Sequence, residues 1–490
     1  MVCRRIAAPT QRRTLLRAIC FHLSHSVFDI RNSACSLAVV NSSDAKPFTM
    51  STPSLAYRAG LIGVVLGMVI LPVIYLALTA LACWWVWFFA THYFLAVWQW
   101  PIGGSYYVLL FKFVCSFTPL LVGAAIALAM VKPLFARRAR RMQPLVLQPE
   151  VEPRVYALVQ EVCRLVAAPA PQRIELDCDL NASASFRRGL FSFLGHDLIL
   201  TLGLPLIAGL SERELAGVIA HEFGHFRQGV GMRLSYLIRR INHWFARVVY
   251  QRDAWDVTLT SFTSTDNVWI GIMGGCIRAG VGLSRGVLWL LMMIGHGLSG
   301  LLLRQMEFDA DRWEMRIAGS AGFESTTFRL ATLGYVLADI RSEMRRTWRR
   351  QMQLPDNLPL LVEYRTNHLS ADRRTKVENE LGLAKTGWFD THPSAADRIR
   401  QARRSAEPGV FTSDTPARNL FENFDNLSRL VTLAHYEDDL NVPTTTDFLI
   451  PLETLIRNKA TEPQPAAAPP PAVPMMAYDP SKFRKPEAGS

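Results

Sequence analysis

The run His221-Glu222-Phe223-Gly224-His225 has the residue types and spacing for metal-assisted hydrolysis. On a helix, His221 and His225 lie one turn apart on one face, where two imidazoles can bind a single zinc ion. Zinc held in this way activates a water molecule, and a carboxylate between the two histidines can take the water's proton. We therefore predict one zinc ion per chain, with His221 and His225 as ligands and Glu222 as the base.

The residues before this run predict the helix that it needs. Ser211 followed by Glu214 is a capping box, the pattern that begins many helices. Leu215, Val218 and Ile219 then supply an apolar face at helical spacing. Both histidines are therefore expected on one side of a helix that starts near Ser211.

A hydrolytic zinc site keeps three protein ligands, so a further donor is needed. The best candidate is Glu307, which is followed one helical turn later by Asp311. Glu307 can bind the metal while Asp311 accepts the free N–H of a ligand histidine and so fixes the orientation of its ring. A solvated acidic helix face is the other interpretation of the same spacing.

Four motifs together resemble the zinc metallopeptidase family that groups the bacterial membrane protease HtpX with the CAAX prenyl endopeptidases. Besides His221 to His225 and Glu307 to Asp311, they are "NASAS" at residues 181–185 and "THPSAADRI" at residues 391–399. The resemblance covers about residues 145 to 405. It implies an α+β fold, a zincin-type metallopeptidase domain that is mainly helical with a small sheet and is attached to a transmembrane helical hairpin.

The resemblance also implies roles for individual residues. It makes His221, His225 and Glu307 the ligands of a gluzincin, with Glu222 as base and Asp311 as supporting acid. Main-chain groups of Asn181, Ala182, Ser183 and Ala184 would bind an extended substrate. His392 and Arg398 match positions that face the substrate, where they could stabilise an oxyanion. A turn at His392 and a structural ion pair for Arg398 remain the alternative.

The N-terminal part of the chain predicts a membrane anchor. No Asp, Glu, Lys or Arg occurs between Arg58 and Lys112, and the run from Ala59 is long enough to span a bilayer. A second apolar run covers Phe113 to Val131, which gives a helical hairpin. The connector is rich in aromatic residues, as is typical of a membrane interface: Trp84, Trp85, Trp87, Tyr93, Trp98, Trp100, Tyr106 and Tyr107.

Charge predicts the orientation of this hairpin. Lys and Arg exceed Asp and Glu by 12 over the chain, and a basic cluster at residues 132–141 directly follows the second run. The positive-inside rule therefore places the following domain in the cytoplasm, with the hairpin in a cell inner membrane. A lipid surface explains this cluster better than a nucleic acid, for which the sequence has no binding motif. The eight scattered cysteines include no C-x-x-C pair, which fits a reducing compartment.

A membrane-associated insertion is predicted between the ligands, at about residues 229–303. Because His225 and Glu307 must meet at one zinc ion, this stretch crosses the bilayer zero times or an even number of times. Its first part, which contains Arg233, Arg239, Arg240 and Arg247, suits an amphipathic helix on an anionic surface better than a span. Two and four spans in total both remain open.

The sequence divides into five predicted segments. Residues 1–49 are Arg-rich and acid-poor, which indicates either a mis-assigned start before Met50 or an organellar targeting segment, and then an organellar inner membrane. The hairpin and its basic flank cover residues 50–142, and the metallopeptidase domain covers residues 143–410. A helical segment at 411–458 and a disordered Pro/Ala-rich tail at 459–490 complete the chain.

These expectations converge on a membrane-anchored zinc endopeptidase whose substrates are protein or peptide chains, chiefly membrane proteins in quality control. Two alternatives compete with this interpretation. One is an inactive, membrane-anchored zinc scaffold, against which the intact Glu222 argues. The other is a prenyl-protein endopeptidase, although such enzymes enclose their site in more spans than this sequence shows.

Overall fold

The computed structural model describes residues 55–99, 101, 104–135, 144–186, 198–227, 230–250, 268–388, 390, 392–440 and 446–461. Over these residues the protein is mostly helical with one small four-stranded sheet and one two-stranded sheet, which confirms the predicted fold class. The N-terminal extension at 1–49 lies outside the described residues. Of the tail predicted to be disordered at 459–490, residues 459–461 are instead the end of a helix (Leu452–Thr461), and the rest lies outside the described residues. The other segment boundaries stay a prediction.

The predicted hairpin consists of helices α1 (Leu55–Phe88) and α3 (Tyr106–Phe135), with a π-helical turn (Phe89–Tyr93) and the short α2 (Phe94–Gln99) between them. The two long helices run antiparallel, because Tyr75 of α1 donates a hydrogen bond to the Met130 carbonyl of α3, whereas Val86, later in α1, lies beside Gly123, earlier in α3. Three tryptophans that were assigned to the connector lie within α1 instead: Trp84, Trp85 and Trp87.

Helices α7 (Val230–Tyr250) and α8 (Val268–Ala318) complete a bundle with this hairpin. Asn242 of α7 donates a hydrogen bond to Ser299 of α8, while Arg239 reaches Glu307 further along α8, so the two helices are antiparallel. The sequence predicts that α7 lies with its apolar face on a membrane surface, and this prediction is wrong. Ile238 and Phe245 are fully buried against α1 and α8, because neighbouring helices rather than lipid cover that face.

The four-stranded sheet has the order β1-β2-β4-β3. Its strands are β1 (Leu145–Leu147), β2 (Arg173–Asp177), β3 (Ala182–Phe186) and β4 (Leu198–Gly203). β1 and β2 are antiparallel, β2 and β4 parallel, and β3 and β4 antiparallel. Among the described strands β3 is therefore an edge strand, and it lies next to the helix that carries the metal-binding motif.

That helix, α6 (Glu212–Arg227), follows α4 (Pro153–Val166) and the short α5 (Leu204–Gly209). The predicted capping box is present. The Ser211 N–H donates to Glu214 Oε2 at 2.9 Å, and the Glu214 N–H donates to Ser211 Oγ at 3.3 Å. Leu215 and Ile219 are fully buried in a core shared with the sheet and with α4.

The remaining elements pack around the same core. They are α9 (Ser320–Gln351), β5 (Leu354–Pro355), α10 (Leu358–Asn367), α11 (Ala371–Leu383), α12 (Ala395–Ser405), α13 (Phe424–Leu440), β6 (Leu449–Ile450) and α14 (Leu452–Thr461). Phe411, Leu420 and Val431 are buried in the core, so the segment after residue 410 packs directly on the domain before it.

Candidate metal centre

The three predicted ligands lie together where α6 crosses α8. His221 Nε2 is 3.6 Å from Glu307 Oε2, and His225 Nε2 is 3.6 Å from Glu307 Oε1. One donor atom from each residue lies within 4.8 Å of the other two. All three side chains are at least four-fifths buried, so a cation placed among them would be largely shielded from bulk water.

Two glycines allow this close approach of the helices. A Cβ atom at Gly224 would lie 2.7 Å from the Trp313 ring, and one at Gly217 would lie 2.8 Å from the Ala318 Cβ. Both distances are too short for real carbon atoms, so α6 can approach α8 this closely only with glycine at these positions. Because the two glycines lie one on each side of His221 along α6, they set how near the histidines come to Glu307.

Two carboxylates face the other nitrogen of His221. Its Nδ1 lies 3.1 Å from Asp311 Oδ1 and 3.4 Å from Glu314 Oε2, neither in good hydrogen-bond geometry. Both carboxylates are almost fully buried. They favour the tautomer that has its proton on Nδ1, which leaves Nε2 free to bind metal.

Arg398 pairs with Asp311. Its Nε donates to Asp311 Oδ2 at 2.8 Å and its Nη2 donates to Asp311 Oδ1, which makes a two-pronged contact. The guanidinium also lies over the Phe323 ring, 5.3 Å from its centroid. The contact that Arg398 makes is the structural ion pair that the sequence left as an alternative, while its role in catalysis stays untested.

Two further cationic or donor groups hold Glu307. His392 Nδ1 lies 3.1 Å from Glu307 Oε2, and Arg239 of α7 donates to Glu307 Oε1. Each carboxylate oxygen therefore has one partner besides the histidine opposite it. The His392 side chain is about half exposed, so it is within reach of a bound substrate.

Glu222 lies between the ligands and the sheet edge. Its Oε2 accepts a hydrogen bond from the Ala184 N–H at 3.4 Å. On the other side of β3, the Asn181 carbonyl accepts from the Gly203 N–H of β4 at 2.7 Å. Since main-chain groups alternate sides along a strand, Ala182 and Ala184 present theirs to the open edge, whereas Asn181 and Ser183 face β4.

Burial and neighbouring charges together set the pKa values of His221, Glu222 and His225. Burial lowers the pKa of His225 to about 3, so that imidazole is neutral at pH 7, the form that binds metal. Burial would also lower the pKa of His221, but the nearby carboxylates of Asp311, Glu307 and Glu314 outweigh this effect and raise the pKa. Burial raises the pKa of Glu222 despite the opposing effect of His221, which makes that carboxylate a better proton acceptor.

The donor set fits zinc. Two imidazole nitrogens and one carboxylate are common zinc ligands in hydrolases. A second group, formed by His221, Asp311 and Glu314, also brings possible ligand atoms together. A cation there would lie against the Arg398 guanidinium, so these carboxylates are better suited to orient His221 than to bind a second ion.

The sequence predicts most residues of this site, but the prediction does not include four that the structure places there: Glu314, Gly217, Gly224 and Arg239. Glu314 follows Glu307 and Asp311 at helical spacing, so that periodicity could have revealed it. Gly217 and Gly224 stand seven residues apart, a spacing that places both on one face of α6. The sequence gives no comparable signal for Arg239, because this residue is one of several arginines in α7.

Comparison with known proteins gives one match. Residues 149–406 match the sequence model of peptidase family M48, which is more than half of the chain. This match confirms the resemblance drawn from the four motifs. Searches of curated proteins and of solved structures find no match.

Proposed function

Because the chain belongs to peptidase family M48, a family of metallopeptidases, we propose that it is a membrane-anchored zinc endopeptidase. The observation that carries the proposal is the meeting of His221, His225 and Glu307, with donor atoms within 4.8 Å of one another beside Glu222. The three ligands come from two helices, and 82 positions in the chain separate His225 from Glu307. Their convergence beside a suitably placed base supports a hydrolytic centre.

Zinc, when bound by these residues, would act as a Lewis acid that activates water and polarises the scissile carbonyl. Glu222 accepts the proton of the attacking water and returns it to the leaving amine, so no covalent intermediate with the protein is needed. His392 lies at the exposed side of Glu307, where its imidazole can donate a hydrogen bond to the substrate carbonyl oxygen. Asp311 and Glu314 hold the His221 ring in place.

The open edge of β3 is the proposed substrate-binding strand. A peptide that adds to this edge pairs with the main-chain groups of Ala182 and Ala184 and passes directly over Glu222. Such pairing recognises the peptide backbone rather than particular side chains. It therefore suits an endopeptidase with broad sequence tolerance, as quality control of membrane proteins requires.

The bundle supports placement of this site at a membrane. Three described helices are long and apolar enough to cross a bilayer, within residues 59–99, 106–131 and 274–318. Because the ligands meet on one side of the bilayer, the chain between α6 and the apolar run of α8 must cross it once more. We propose that α7 forms part of this fourth crossing, since Asn242 of α7 donates to Ser299 within the apolar run of α8. The site then lies on the side that holds both ends of the hairpin, in the cytoplasm according to the basic cluster at residues 132–141.

The test compares two variants of the full chain in detergent. Glu222→Gln should keep its zinc, measured by elemental analysis, and lose roughly a hundredfold or more of the turnover of a quenched peptide. Glu380→Gln is the matched control, since the Glu380 side chain is 44% exposed and pairs with Lys376 one turn earlier on α11, and it should behave as wild type. Peptide turnover that survives Glu222→Gln would contradict the proposal.

The same preparation separates the competing functions. Casein and a prenylated peptide are offered to the wild-type protein in parallel. Cleavage of casein supports a general endopeptidase, cleavage of the prenylated peptide alone identifies a prenyl-protein endopeptidase, and zinc binding without cleavage of either identifies a scaffold.

A further inference from the structure

The segment before His392 is held against the end of the apolar part of α8. Arg304 Nη1 donates hydrogen bonds to the carbonyl oxygens of Gly387 at 3.2 Å and Asp390 at 2.8 Å. A Cβ atom at Gly300 would lie 3.5 Å from the carbonyl oxygens of Trp388 and Asp390. The segment therefore lies along α8 between residues 300 and 304.

This part of α8 corresponds to the surface of the membrane. Between Arg285 and Arg304 the helix contains no Asp, Glu, Lys or Arg, so Arg304 is the first charged side chain after the apolar run. Long cationic side chains at such positions extend into the headgroup layer. Exposed apolar side chains follow one face of the helix up to this level: Leu290, Ile294, Leu298 and Leu301.

Trp388 projects from this held segment with 89% of its surface exposed. The backbone beside it is fixed, because the Gly387 N–H donates to Asp390 Oδ2 at 2.6 Å and Thr386 donates to Asp397 of α12 at 2.6 Å. Because the Trp388 backbone lies against Gly300, this exposed ring adds to the apolar face that includes Leu298 and Leu301, and a contiguous exposed apolar patch of this kind indicates a contact with something outside the described chain. Tryptophan is enriched at membrane interfaces, where its ring is partly apolar and its N–H is hydrated.

We propose that Trp388 inserts into the headgroup region of the leaflet next to the metal centre. The occupant of this surface is the bilayer, because Trp388 continues the exposed apolar face that ends at Leu301, which is 74% exposed. Leu383 is also 78% exposed just before the segment, and Lys385 and Arg304 supply positive charge that complements anionic headgroups.

The inserted segment joins the membrane to the site. His392 follows Asp390 by two residues and lies 3.1 Å from Glu307. Contact of Trp388 with lipid therefore fixes the segment that carries His392 and turns the open site toward the membrane surface. The proposal rests on the membrane placement of α8 given above, and its test needs no peptidase activity.

The test measures tryptophan emission from the full chain in vesicles of phosphatidylcholine and phosphatidylglycerol. The spectrum of Trp388→Phe is subtracted from that of wild type to give the contribution of Trp388. We expect this contribution to be blue-shifted, to fall by at least half in vesicles whose lipids are brominated near the headgroup, and to resist quenching by iodide.

Two further substitutions calibrate the measurement. Subtracting the Trp289→Phe spectrum gives the emission of an exposed tryptophan within the apolar part of α8, and brominated lipid should quench this emission. Trp348→Phe reports a tryptophan that packs against Phe448 in the peptidase domain, which lipid should leave unquenched.

Each outcome bears on a separate claim. Iodide quenching of Trp388 without quenching by lipid, while Trp289 is quenched by lipid, overturns the insertion but leaves the proposed function intact. Protection of Trp388 that appears only with added peptide, or only at high protein density, also overturns it, in favour of a peptide or a second copy as the occupant. Absence of lipid quenching at Trp289 overturns the membrane placement of α8 and the insertion together.

Discussion

Replacing Arg398 by Met removes the guanidinium that pairs with Asp311 beside the metal centre. The Asp311 side chain is 2% exposed and receives two hydrogen bonds from the guanidinium. Without Arg398, Asp311 remains buried beside Glu314 with the His221 imidazole opposite it, but it has lost the guanidinium that neutralised its charge. The free energy of unfolding should therefore fall.

The expected loss is about 3 kcal/mol, at the lower end of the range for breaking a buried ion pair. The lower end applies because the Arg398 side chain is one-quarter exposed, so water can partly reach the position that it leaves. For a domain of this size that loss lowers the unfolding midpoint by roughly 6–12 °C. Since Asp311 orients His221, zinc affinity should also fall by about 10- to 100-fold.

The assay records thermal unfolding in detergent at one scan rate, together with zinc affinity by chelator competition. Arg403→Met is the matched control, because Arg403 lies on the same helix and makes a similar two-pronged contact with Glu324. That pair lies at the surface, where two-thirds of the Arg403 side chain is exposed, so no resolvable change is expected.

A different pattern would refute this reasoning. If Arg398→Met keeps the unfolding midpoint and the zinc affinity of wild type but lowers kcat by about 10²- to 10³-fold, Arg398 acts on the oxyanion rather than through Asp311. If Arg398→Met does not fold, the same measurements are made on Arg398→Lys, because lysine keeps the positive charge and loses one of the two hydrogen bonds to Asp311.

Three further predictions concern the sheet edge, the contact between the ligand helices and a buried thiol. Ala184→Pro should fold but lower kcat/KM about two- to tenfold, because it removes the outward N–H that donates to Glu222 and would pair with the substrate, whereas Ser183→Pro should destabilise the sheet in thermal unfolding. Gly224→Ala should weaken zinc binding about tenfold in chelator competition, because its Cβ forces α6 away from α8, while Gly382→Ala, with open space around it, should not. Burial raises the pKa of Cys163 to about 12, so at pH 8 its thiolate is about a thousandfold rarer than that of a free cysteine. Mass spectrometry should therefore find Cys163 alkylated by iodoacetamide only after the protein is unfolded. Labelling of Cys163 in the native protein would contradict its burial.

The sequence by itself determined the features that depend on near neighbours along the chain. Three features follow from the 3.6-residue repeat of a helix: the capping box at Ser211, the shared face of His221 and His225, and the shared face of Glu307 and Asp311. Length and apolar composition likewise sufficed for the hairpin, since a bilayer requires about 20 apolar residues in a row. These interactions lie within one element, so no knowledge of its partners is needed.

Only the tertiary structure decided what each element faces. The pairing of Arg398 with Asp311 and the approach of Arg239 to Glu307 join residues that are 87 and 68 positions apart. The apolar face of α7 could be covered by lipid or by protein, and the sequence is the same in both cases. Such contacts depend on how closely whole helices pack, which here is set by Gly217 and Gly224 at the crossing of α6 and α8. Steric fit between distant surfaces is a property of the assembled fold, and the spacing of residues along one helix does not identify the surface that this helix meets.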